Sequence, residues 1–275
     1  MQYVNINRLY TAEKETAISI NNRAFRYGDA LFETIRVVRN RVLLWELHLE
    51  RLTASCALLK YNLHGAENDL ESLILETVKK NGLENARIKL TIFRNDGGLY
   101  EPDNNNANFL IEASHLDAGY PLNETGLTLG LYEALGKPLN WLSNLKTCNA
   151  LIFVIATLHK KHLGLDDCLI VNTEGRIAEA SSSNIFIVKN KSLITPPLSE
   201  GCLNGVMRTH IIQLAKRNGI PVFEKAVTIN DLSGCDELFL TSAIRGIRWA
   251  GKYGSKEYKN DMAKRLSAEL EKSVA

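Results

Sequence analysis

Residues 31–38, Leu31-Phe32-Glu33-Thr34-Ile35-Arg36-Val37-Val38, alternate apolar and polar side chains, the two-residue period of a strand with one buried face. Asn40-Arg41 reads as a turn and Val42-Leu43-Leu44 as a strand restarting. At Trp45 the period changes: Leu49, Leu52, Cys56 and Leu59 recur at three- and four-residue spacing, which predicts a helix ending near Tyr61. A second helix is expected over Asp69–Lys80, closed by Asn81-Gly82, and strands over Arg87–Phe93 and Asn108–Ala113. Strand, helix, helix and two further strands describe an α/β layer with one apolar face.

The second half mixes strands (Leu127–Leu131, Cys168–Val171, Ile185–Val188, Glu237–Thr241) with helices (Cys148–His162, Val206–Asn218 and a charged one from Lys256). Irregular alternation of this kind predicts an α+β chain, not a regular parallel βα array. Two domains are expected: 1–115, smaller and N-terminal, and 126–275, larger and including Lys146. The Gly- and Pro-bearing stretch 116–125 is expected to link them.

Bulk properties exclude several classes. The 275 residues carry a formal charge of +2, with 45% hydrophobic and 23% charged residues, as in ordinary globular proteins. No basic block with interleaved aromatics points to nucleic acid. The N-terminus lacks signal-peptide order, and the most apolar run, Ala150–Leu158, falls short of the roughly 20 residues a membrane span needs. Five scattered cysteines without C-x-x-C spacing fit a reducing, cytoplasmic setting. His159 and His162 share a helix face, but lysines lie between them and no carboxylate or cysteine is close, so no metal is expected.

Three stretches bear chemistry. Lys146 stands just before the most apolar helix, where desolvation favours the neutral amine that attacks an aldehyde; the bland alternative is a lysine snorkelling at a helix start. Glu179 to Phe186 sets a carboxylate before three serines and Asn184, a density of polar groups that needs partners. Gly201 to Arg208 places glycines before a helix, whose first N–H groups attract phosphate.

In chain order these stretches resemble the class IV aminotransferases, the fold-type IV pyridoxal-phosphate enzymes. Arg23 to Thr34 resembles R-x-x-x-Y-G-D-x-x-F-E-T and His48 to Leu52 resembles H-x-x-R-L. Lys146 to Asn149 resembles K-x-x-N, Glu179 to Phe186 resembles E-x-x-x-x-N-x-F, and Gly205 to Arg208 resembles G-[IV]-x-R. The resemblance implies a two-domain fold like that of the D-amino-acid aminotransferases, with pyridoxal 5'-phosphate between the domains, and a homodimer with shared active sites acting on a small amino substrate. It implies that Lys146 carries the cofactor as a Schiff base and moves the proton. Glu179 would meet the ring nitrogen, and Arg51 would grip the phosphate. Ser183, Asn184, Gly205, Val206, Met207, Thr241 and Ser242 would complete the cofactor site. Tyr27, Phe32, Thr34, Lys89, Arg94 and Tyr100 are the expected substrate contacts, and Arg245 and Arg248 are further candidates for substrate carboxylates.

The reaction divides three ways. Residues 95–108 contain no arginine or histidine, which counts against a D-amino-acid aminotransferase. Phe32-Glu33-Thr34 and Ala150 depart from the F-E-G and the tyrosine usual in branched-chain enzymes. Residues 28–34, 94–100 and 240–247 are most similar to 4-amino-4-deoxychorismate lyases, enzymes of folate biosynthesis, although many of these carry arginine where Ala150 stands. Lyase is the leading expectation, then a transaminase of branched-chain or other amino acids using 2-oxoglutarate, then a cofactor-binding protein without turnover.

Overall fold

The structure, a computed structural model, describes residues 2–274, and its contacts divide the chain into two units. The first comprises residues up to Gly119 together with Lys146–Asn149; the second comprises Tyr120–Leu145 and Ala150 onward. The division therefore falls inside the stretch 116–125, and it groups Lys146 with the N-terminal unit, whereas the sequence reading assigns it to the C-terminal domain.

The first unit runs β1 (Tyr3–Ile6), β2 (Leu9–Ala12), α1 (Arg23–Tyr27), β3 (Ala30–Val38), β4 (Arg41–Val42), α2 (Trp45–Leu58), α3 (Leu70–Lys80), β5 (Asn85–Arg94) and β6 (Ala107–His115). Its six strands form one antiparallel sheet ordered β2-β1-β6-β5-β3-β4. Ile35, Val37, Ile88, Leu90, Ile92 and Ile111 are wholly buried, as are Leu70 and Ile74 of α3; each such side chain contributes about 1.5–3 kcal/mol. Because strand residues alternate between faces, the intervening Phe32, Thr34, Lys89, Thr91, Leu110 and Glu112 lie on the opposite face.

The second unit runs β7 (Leu127–Lys137), α4 (Leu151–His162), β8 (Asp167–Asn172), β9 (Ile177–Ala180), β10 (Asn184–Lys189), β11 (Ser192–Thr195), α5 (Val206–Arg217), β12 (Val222–Glu224), α6 (Ile229–Gly234), β13 (Glu237–Ser242), β14 (Gly246–Tyr253), β15 (Lys256–Glu257) and α7 (Asp261–Val274). Eight strands follow the order β12-β11-β10-β13-β14-β7-β8-β9, and β15 pairs with β14. The pairs β7–β8, β7–β14 and β11–β12 are parallel, so the sheet is mixed. α4 covers β7 and β8 through Ile152, Phe153 and Ala156 packed on Tyr132, Cys168 and Ile170.

Several local expectations need correction. The strand restart stops at Val42, since Leu44 takes a left-handed φ of 56° before α2. α2 ends at Leu58, and α4 begins at Leu151, not Cys148, because residues 146–149 are drawn to β3 instead. Lys256 opens a short strand, and the terminal helix begins at Asp261, where Glu237 accepts from the N–H groups of Met262 and Ala263. No helix among the described residues is long and apolar enough to cross a membrane.

Candidate active site

Lys146 is fastened by its main chain. Phe32 N–H donates to the Lys146 carbonyl, and Cys148 N–H to the Ala30 carbonyl, both at 2.9 Å, so residues 146–148 bridge to β3 around Leu31 and Thr147. Asn149 Nδ2 donates to the Gly28 carbonyl at 3.1 Å. Gly28 has φ +65°, and a Cβ there would stand 2.7 Å from Asn149 Oδ1, so this position requires glycine. The Y-G-D glycine and the K-x-x-N asparagine are thus two halves of one contact. The half-buried Lys146 Nζ lies 4.3 Å over the Phe32 ring. Burial pushes the Cys148 thiol up, against the pull of Lys89 and Lys146.

Beneath this segment the Glu33 carboxylate is buried between Arg51 and His48. Arg51 Nε donates to Oε1 at 2.8 Å, another Arg51 nitrogen pairs with Oε2, and His48 Nδ1 lies 2.7 Å from Oε2. Burial alone would raise the Glu33 pKa; the Arg51 charge and the His48 hydrogen bond outweigh it and hold the group at about 2. Burial pushes His48 below its ordinary value, against the pull of Glu33. Arg51 is thereby oriented by an acid of the F-E-T motif, a pairing that motif order alone does not reveal.

Phe32, Thr91 and Leu110 stand in one cross-strand row, and Thr34, Lys89 and Glu112 in the next. Lys89 is exposed and lies 3.5 Å from Glu112, while Thr91 Oγ1 is buried without a hydrogen-bond partner. Tyr27 packs on Tyr100 at 5.6 Å, and Tyr100 is 90% exposed. Arg94 corrects its expected role. It is buried, donates to Asp29 at 3.0 Å, to Leu59 O at 2.9 Å and to Asn105, and lies over the Tyr61 ring. Asp29 also accepts from Arg23 and Tyr61, and Arg23 donates to the Gly97, Leu99 and Tyr100 carbonyls. Arg94 therefore belongs to the frame of loop 95–103.

In the second unit a separate cluster forms. Glu179 in β9 is buried; Oε2 accepts from Leu203 N–H at 3.2 Å, and Oε1 pairs with Lys137 at the end of β7. Asn184 Nδ2 donates to Leu203 O at 2.9 Å, and Asn184 stands directly opposite Thr241 in the β10–β13 ladder. A Cβ on Gly205 would collide with Asn184 Oδ1, so glycine leaves the α5 start open. Gly205 caps α5 without a side-chain acceptor, so the N–H groups of Val206 and Met207 point to whatever lies beyond. Thr241 Oγ1 is buried with no hydrogen-bond partner among the described residues, and Ser242 follows it at the strand end. Open helix N–H groups, an orphaned hydroxyl and a buried carboxylate fit a phosphorylated pyridine. Ser183 contributes its carbonyl, as acceptor from Ala180 N–H. Arg248 keeps a buried Nε without a partner, and Arg245 is exposed.

Lys137 is the residue that sequence reading missed. It lies 42 positions from Glu179, and its isolated place after Gly136 gives no local sign of burial.

The amino-transferase class IV family profile matches residues 30–252. A Methanocaldococcus jannaschii protein named, provisionally, a branched-chain-amino-acid aminotransferase is 30% identical over 89% of this chain and 85% of its own. The D-alanine aminotransferase of Listeria monocytogenes is 28% identical over 87% and 83%. The aminodeoxychorismate lyase of Vibrio harveyi is 28% identical over 90% and 91%. The crystal structure of a branched-chain aminotransferase from Thermoproteus uzoniensis with norvaline superposes with a TM-score of 0.90 at 24% identity, over 99% of this chain and 94% of that one; the likeness is one of fold.

Proposed function

The chain belongs to the class IV amino-transferase family, and from that premise we propose that it is a pyridoxal 5'-phosphate enzyme whose reaction is the aminodeoxychorismate lyase reaction. The observation that carries the cofactor assignment is Lys146, held to β3 on both sides with its amine over Phe32. When bound, the cofactor supplies an aldehyde for the substrate nitrogen and a ring that accepts the electron pair released at the adjacent carbon.

The chain's own residues do the rest. Lys146 Nζ would hold the cofactor and, once substrate has freed it, would be the base for the proton on the carbon bearing the substrate nitrogen. Glu179 would face the ring nitrogen and keep its proton in place. In the first unit the Arg51 fork, oriented by Glu33, suits a phosphate group; in the second, the N–H groups of Val206 and Met207 with the hydroxyls of Thr241 and Ser242 suit one. Asn184 keeps the Leu203 carbonyl, and with it the 203–205 turn, in place. Phe32, Thr34 and Lys89, with Tyr27 and Tyr100, receive the substrate, and the Lys89 ammonium suits one of its carboxylates.

In the lyase reaction, Lys146 would take the proton beside the nitrogen. The neighbouring C–O bond would break with its electron pair leaving on the enolpyruvyl oxygen, and that enolate would take up a proton at its methylene carbon to become pyruvate. The ring becomes aromatic, and the products are 4-aminobenzoate and pyruvate. What favours this reading is residues 28–34, 94–100 and 240–247; Ala150 departs from the branched-chain tyrosine and from the arginine of many lyases alike. Transamination is the second reading, favoured by the 30% identity to the Methanocaldococcus protein; Lys146 would then be the group that both removes and returns the proton. Purified protein given aminodeoxychorismate should yield aminobenzoate and pyruvate. Glutamate formed from leucine and 2-oxoglutarate instead would establish the transaminase and overturn the lyase.

The working unit in this proposal is a homodimer. α4 leaves Leu151, Val154, Ile155 and Leu158 exposed at i, i+3, i+4 and i+7, an apolar stripe suited to a second copy.

A further inference from the structure

Lys137 is 4% exposed, and its ammonium has three partners. It pairs with Glu179 Oε1, donates to the Ser143 carbonyl at 3.1 Å, and lies 5.2 Å from the centre of the Phe153 ring. Burying an ammonium is costly, and a buried ion pair is commonly no more stabilising than apolar residues of similar volume. Fold stability is therefore a weak reason for a lysine here. The geometry around Glu179 supplies a stronger one. Lys137 takes one carboxylate oxygen and Leu203 N–H takes the other at 3.2 Å, which fixes the plane of the carboxylate. An ionised carboxylate has about four lone-pair sites, so both oxygens still accept a further donor.

We propose that Lys137 is a positioning residue that pairs with Glu179 and aims it at the ring nitrogen of the pyridine cofactor. This inference rests on the role proposed for Glu179 above. In the protein without cofactor, Lys137 is the counter-charge of a carboxylate that would otherwise be buried alone. The acid is thus aimed before the ring arrives, and loading the cofactor costs no rearrangement of it. Through Ser143 the same ammonium also holds the short helical turn Trp141–Asn144, two residues before Lys146, so one side chain ties the acid of β9 to the segment leading into the reactive lysine.

The test compares two probes on the cofactor-free protein: pyridoxal 5'-phosphate and its 1-deaza analogue, in which CH replaces the ring nitrogen. Binding is read by absorbance titration. Lys137→Met should weaken pyridoxal phosphate about tenfold, the scale of a group acting through a ligand's direct partner, and change the deaza analogue by less than about twofold. Lys137→Arg should restore most of the loss. Equal losses for both probes, or no loss, would overturn the proposal. Glu179→Gln separates this from the reading beneath it. If that variant also fails to discriminate the probes, the assignment of Glu179 falls; if it discriminates and Lys137→Met does not, only the role of Lys137 falls. Should Lys137→Met not fold, Lys137→Gln is put through the same comparison and read in the same way.

Discussion

The role proposed for Lys146 as a base needs a main chain that holds still, and the two hydrogen bonds to β3 and the Asn149–Gly28 contact provide that. Lys146→Ala should lower turnover by at least about 10³-fold, the scale of a lost general base, without unfolding the protein. Borohydride reduction of the wild-type protein should fix the cofactor on the peptide containing Lys146, as mass spectrometry would report, and on no peptide of the variant. Glu33 makes a different prediction. Its folded-state pKa of about 2 lies below the ordinary 4.5, so its contribution to stability is present above about pH 4.5 and is lost as pH falls towards 2. Acid titration followed by circular dichroism should show that limb, and Glu33→Gln should flatten it. The same variant should cost about 3–5 kcal/mol at pH 7, because Arg51 loses its buried counter-charge. Lys146, Glu179 and Arg51 were all recognisable as ordered motif residues. Their partners were not: His48 and Arg51 meet Glu33 across 15 and 18 positions, and Lys137 meets Glu179 across 42.

Among the elements, the start of α5 carries the phosphate site proposed above. Its cap is a glycine because any side chain would strike Asn184, and the missing cap leaves the first N–H groups to a ligand. Gly205→Ala should therefore weaken cofactor binding about tenfold with the fold retained, measured by titration of the cofactor-free protein and checked by thermal melting. Strands and helices with a clear period were read within a few residues: α3, α5, β5 and β10 stand close to where their patterns put them. The misplaced boundaries are those where a distant partner decides. Cys148 and Asn149 are expected from sequence to open the helix of α4, yet residues 146–149 hydrogen-bond to β3 and Gly28, and the helix waits until Leu151. Arg94 looked like a cation in a polar loop; pairing of β5 with β3 and β6 buried it beside Asp29 and Tyr61.

For the whole molecule, the proposed homodimer is open to direct measurement. Leu158→Glu places a charge in the exposed apolar stripe of α4, so light scattering should show a shift from two chains to one at micromolar concentration, with little change in the monomer's helix content. A wild-type protein that is already a single chain would remove the dimer from the proposal. By itself the sequence determined the strand and helix periods, the α+β class and the ordered motifs that place the chain in its family. These are local signals, carried by spacing along the chain, and spacing survives without knowledge of the fold. Only the tertiary structure decided which charges are buried together, that Arg94 is part of a frame, and that a lysine at the end of β7 faces the acid of β9. Such pairings depend on strand register and helix docking over tens of residues, and a buried charge finds its partner in space, where sequence distance has no bearing.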